Sequence, residues 1–315
     1  MKLLVNRMLR FVLSVIANIK LGINIYKTIY INFRFLPFKQ ACKLPIWVYG
    51  KMKFGYKSGS IIIDAPVSRK MIVIGINRDR FMAPQGTFFI DVAGKIIFKG
   101  SIILGRGCTL ACQQNAVLIL GKAVRISSFV KIRAYKRIEV GNFTAVTSEC
   151  QIFDTNFHYM RNIKTGKVDP ISKDVFIGEC CWIGNRTNIM KGTVLPDNTI
   201  VSSNSLLNKD YTSTVPSYSI IGGMPARLLK TNMARVYHWE IYAELESHFS
   251  ASEDSYFRFL SIIFNQLRNK LLANYLRNGS NDLATVRISA FCVAMLSNNS
   301  FFCKENIFFE STNCR

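Results

Sequence analysis

Hydrophobic and polar positions follow two rhythms along this chain of 315 residues. In the first segment, polar residues recur with helical spacing at Lys2, Asn6, Arg10, Ser14, Asn18, Lys20, Asn24 and Lys27. Leu, Ile, Val and Phe fill the opposite side, which predicts an amphipathic helix with a basic face. From about residue 60 the helical spacing fades, and β-branched residues, Gly and Asn take over. Stepping by six then finds Ile171, Ile177, Ile183, Ile189, Leu195, Val201 and Leu207, all aliphatic. A chance run of that length has odds of roughly 1 in 2000 per frame, so the period is a repeat. Shorter six-step runs lie upstream at Val92-Phe98-Leu104-Leu110, Leu120-Ile126-Ile132-Ile138 and Val140-Val146-Ile152.

A six-residue period predicts a triangular solenoid. Each hexad supplies a short strand and a turn, three hexads close one coil, and the aliphatic residues of stacked coils form one continuous core. Gly105, Gly121, Gly141, Gly178 and Gly184 each follow an aliphatic repeat position, where a tight corner disfavours a side chain. A β-sandwich fits worse, since its strands would alternate with period two. The register fails once, between Ile152 and Ile171, so residues 153–170 are expected to leave the stack as a surface loop, the usual place for function. Helical spacing returns over 235–277, and periodicity is weak from Asn278, a stretch read as poorly ordered. Three parts are therefore expected: a helical basic segment (1–60), a β-solenoid (61–232) and a helical extension (233–315).

Charge adds a partner class. The formal net charge is +22, and residues 1–60 hold eleven Lys and Arg with no acid before Asp64. So lopsided a block suits a polyanion. No nucleic-acid module accompanies it, which leaves an anionic membrane leaflet, met peripherally on the inner face, or packing of the helix on the protein's own body. No run of eighteen apolar residues and no cleavable leader are found. The nine cysteines form no CxxC pair or disulfide framework, so reduced thiols in a cytoplasmic protein are expected.

Three segments resemble the hexapeptide-repeat acyltransferases, in particular the branch that O-acetylates sugars and polysaccharides. They are Phe153-Asp154-Thr155-Asn156-Phe157-His158, the run Val175 to Gly184 that ends Trp182-Ile183-Gly184, and Gly222-Gly223-Met224-Pro225-Ala226-Arg227. The resemblance spans about residues 95–235. It implies a left-handed parallel β-helix, a homotrimer with sites between neighbouring subunits, acetyl-CoA as co-substrate and a sugar or lipid-linked saccharide as acceptor. It also implies His158 as general base, the one His in the repeat region, because a neutral imidazole accepts a hydroxyl proton at cellular pH. Asp154, four residues earlier, either orients that imidazole or caps the loop. Trp182 matches the aromatic beside the transfer site, or packs at a corner. Backbone N–H groups near Asn185 are the implied oxyanion donors. Ser202 falls in the segment beside the pantetheine arm, where this chain replaces the family's glycines. Arg227 and Lys230, with Lys209 behind them, are the implied partners of the CoA phosphates. Met224 stands where the family usually has Asn.

Other chemistries lack their residues. A carbonic anhydrase on this fold needs three His ligands per metal, and no metal is expected. The P-loop and the G-x-S-x-G elbow are both absent. Transfer to an amino sugar, or a non-catalytic trimeric scaffold, are the competing readings. Release of CoASH with an acceptor separates the scaffold from an enzyme.

Overall fold

The computed structural model describes residues 18–76, 85–236 and 239–251. Its strands, parallel except for the last, form three sheets of nine, seven and six members among the described residues. Consecutive strands visit the sheets in turn, so each sheet is one face of a triangular, left-handed β-helix. Face one runs from Ile46–Val48 through Trp182–Ile183 and Ile200–Val201 to Ile220–Gly223. Face two runs from Lys51–Phe54 through Gln151–Phe153 and Asn188–Ile189 to Leu206–Leu207, and face three from Ser60–Ile63 to Val175–Ile177 and Val194–Leu195.

The hexad has more structure than its aliphatic residue. Ile183, Ile189, Leu195, Val201 and Leu207 all point into the buried core, and two positions before each sits a buried small residue: Cys181, Thr187, Thr193, Thr199 and Ser205. The hydroxyls among them bond to backbone across the corner, as when Ser205 Oγ donates to Ser202 O at 2.7 Å and Thr199 Oγ1 to Pro196 O at 2.8 Å. Three positions after the aliphatic residue the corner turns through positive φ, at Cys180, Arg186, Asn198 and Asn204. Gly184 is required by closeness and not by dihedral. A Cβ there would lie 2.5 Å from Ser203 N in the next coil.

Two features differ from the sequence reading. The solenoid begins at Ile46, inside the segment expected to be helical, because the first coils have long corners that break the six-residue step. Ile171 is not a repeat residue, and the register resumes with Val175–Ile177. Cys42, Cys108, Cys112, Cys150 and Cys181 are free thiols, whereas Cys180 is disulfide-bonded, which corrects the expectation of reduced thiols at that position.

Most of the predicted basic helix, residues 2–17, lies outside the described residues. Within them the chain turns at Gly22 and restarts as helix α1 (Ile25–Phe35), whose N-cap Asn24 accepts from Lys27 N–H at 3.0 Å. The helix stops at Leu36, which precedes Pro37. Helix α1 closes the open edge of the first strand. Asn32 Oδ1 accepts from Ile46 N–H at 3.1 Å, its Nδ2 donates to Ile46 O at 2.7 Å, and Thr28 Oγ1 accepts from Val48 N–H at 3.0 Å. At the other end, Ile220–Gly223 turns back antiparallel into Ala226–Lys230, with a register irregularity at Ile220/Ile221. A second compact unit starts at Arg235, and its described part is helix α2 (Trp239–Ala251). The rest of the predicted helical extension lies outside the described residues. Among the described residues no helix is long and apolar enough to cross a membrane.

Candidate active site

The interruption of the hexads is a two-stranded arm. It leaves face two after Gln151–Phe153 and returns to face three at Val175–Ile177. Antiparallel bridges Thr155↔Ser172 and Arg161↔Val168 hold its sides, and Asn162 Oδ1 accepts from Lys164 N–H at 2.9 Å and Thr165 N–H at 3.0 Å to turn its tip. Tyr159, Met160, Ile163 and Val168 are exposed along it, Ile163 at 86%.

The base of the arm is buried and bonded where its outer part is exposed. Asp154 is fully buried, and its two carboxylate oxygens accept from Tyr135 N–H at 2.8 Å and Lys136 N–H at 2.7 Å, one coil earlier. Burial pushes its carboxyl above the ordinary range, against backbone hydrogen bonds that pull it down. Phe157 packs edge-on against Tyr135 and Phe153, each with ring centroids 5.5 Å away, beneath the Arg133 guanidinium at 5.6 Å. Its φ of +63° turns the chain outward, and the next side chain is His158. His158 is exposed, with no hydrogen-bond partner among the described residues. The geometry thus decides between the two readings of Asp154 within one chain. It fastens the arm to the coil, and it makes no bond to His158.

The remaining predicted residues lie elsewhere. Trp182 is half-buried on the outer surface of face one, directly beside Ile200 of the next coil. Asn185 follows it at the corner between faces one and two, where its Oδ1 accepts from Ser148 N–H at 3.1 Å and its carbonyl from Asn204 N–H at 2.8 Å. Ser202 occupies the same corner one coil on, and Ser202 N–H donates to Ile221 O at 2.9 Å. A Cβ on Gly222 would meet Ser202 Oγ at 2.9 Å, and Gly222 pairs with Arg227 across the closing hairpin. Arg227 and Lys230 are exposed and form no ion pair among the described residues. Lys209 sits on the opposite edge, between faces two and three, with its ammonium 5.3 Å from the Tyr211 ring.

The expected site residues therefore fall on two edges, one on either side of face two. Asn185, Ser202 and Arg227 share one edge, and His158 and Lys209 the other. A strand advances about 3.3 Å per residue, so the run from Asn185 to Met190 separates the edges by on the order of 15 Å. Reacting atoms need to approach within about 3–3.5 Å.

No family model matches the chain. It is 24% identical over 160 residues to a protein of Escherichia coli strain K12 named as a lipopolysaccharide biosynthesis O-acetyl transferase, WbbJ, a match covering 48% of this chain and 80% of that one. It is 27% identical over 181 residues to a protein of Mycobacterium tuberculosis named as an acetyltransferase, covering 50% of this chain and 58% of that one. These relatives are acetyltransferases by name, and the chain resembles them over about half of its length. A crystal structure of the polysialic-acid-specific acetyltransferase NeuO aligns with this chain at a TM-score of 0.39 and 16% identity, over 64% of this chain and 98% of that one. The resemblance of the Phe153–His158 segment singled out His158. It missed Phe157 and the anchoring role of Asp154, whose partners lie eighteen and nineteen residues back.

Proposed function

We propose that this acyltransferase moves an acetyl group from acetyl-CoA to a saccharide hydroxyl during cell-surface polysaccharide synthesis, with His158 as general base. The carrying observation is the imidazole itself, exposed beside a fastened arm root and without a hydrogen-bond partner among the described residues. The imidazole takes the acceptor's proton as its oxygen bonds to the thioester carbon. The oxyanion collects at backbone N–H near Asn185, and the C–S bond breaks to release the CoA thiolate, which recovers the proton. A thioester is already activated, so no covalent enzyme intermediate is needed.

Acetyl-CoA fits the unpaired cations Arg227 and Lys230, which suit its phosphates, and the Ser202 corner suits the neutral pantetheine arm. Lys209 contributes a further cation from the other edge. The separation of the two edges supports a homotrimer in which His158 of one copy meets Asn185 and Trp182 of the next. Purified enzyme with acetyl-CoA and a panel of sugars should release CoASH. His158→Ala should lower that rate by about 10²–10⁴ while sedimentation still shows the trimer. A variant that keeps the full rate refutes the base assignment.

A further inference from the structure

Helix α1 wears its amphipathic character inside out. Its inward side carries the polar pair Thr28 and Asn32, both spent on the backbone of Ile46 and Val48. Its outward side is left to Ile25, Tyr26, Ile29 and Phe33, exposed by 62%, 70%, 48% and 47%. Phe38, just beyond Pro37, is exposed as well. Nothing in the described protein covers this face. The segment that carries it is basic: residues 1–63 hold eleven Lys and Arg and no acid. Lys27 lies along the face with its ammonium 5.4 Å from the Tyr26 ring and 5.2 Å from the Phe54 ring, so its stem adds apolar surface while its head stays near water.

We propose that the outward face of α1 docks on an anionic lipid bilayer, with Ile25, Tyr26, Ile29 and Phe33 entering the headgroup boundary. An aromatic and aliphatic face in a basic segment without acids of its own is the composition of an interfacial helix. Pairing with a second copy of this face would set cation against cation, which argues for the lipid. The end of the β-helix, rather than a separate tail, then becomes the membrane-facing surface. The proposal does not depend on the acyl transfer reaction.

The test is flotation of the full chain with vesicles of phosphatidylcholine alone, or with an added phosphatidylglycerol fraction. Wild type should float with the anionic vesicles, lose binding as salt rises, and ignore the neutral ones. Ile29→Glu with Phe33→Glu, both at exposed positions, should weaken flotation by at least about tenfold with an unchanged melting curve. Reversing Lys27, the cation along the face, to Glu provides a second variant, with the same expected loss, should the first not fold. Failure of wild type to float with anionic vesicles overturns the proposal. So does undiminished flotation of the variants, or a change in their sedimentation without a change in vesicle binding.

Discussion

At the scale of single residues, Asp154 and Phe157 fasten what His158 uses. Asp154→Ala would leave two buried N–H groups, those of Tyr135 and Lys136, without acceptors. We expect a loss of roughly 2–4 kcal/mol in urea unfolding. Its pH behaviour has a definite sign. Because the folded carboxyl sits above its ordinary value near 3.8, its stabilising contribution is complete below that pH and is lost as pH rises through the folded value. The stability of wild type relative to Asp154→Asn should therefore fall across that window and then level off. Phe157→Ala should lower the turnover rate while leaving acetyl-CoA binding intact, since its ring supports only the root of the arm. Four-residue spacing suggested that Asp154 could reach His158. The true partners belong to the preceding coil, and no local reading of sequence places one coil over another.

At the scale of elements, the hexads from Val92 to Leu207, apart from Ile171, were legible because their apolar positions fill the same station of a straight core. The first coils were not, since their corners vary in length and the step of six is lost between Ile46 and Phe88. The buried Thr, Ser and Cys positions escaped notice for a different reason. They look like surface turn residues until the corner is seen to fold them inward onto backbone oxygens. Helix α1 was half legible: its cations were visible, but its polar side turned out to face the protein. Asn32→Ala should cost about 2–4 kcal/mol, read by thermal unfolding, because it strands both the N–H and the carbonyl of Ile46.

At the scale of the whole molecule, the proposed trimer makes activity a property of neighbouring copies, because the expected site residues lie on either side of face two. Co-expressing His158→Ala chains with Arg227→Glu chains should restore about a quarter of the sites, as random pairing in a closed ring predicts. Each variant alone should be nearly silent. CoASH release from the mixed preparation measures this, and no gain over either parent would place both halves in one chain. The ends of the coil stack have a further consequence. A parallel stack with bare rims would invite another chain to add its own strands, again and again, into a fibre. The helix at one rim and the reversed, cation-bearing hairpin at the other deny that growth, so a chain shortened to begin after Pro37 should gather into filaments visible by electron microscopy.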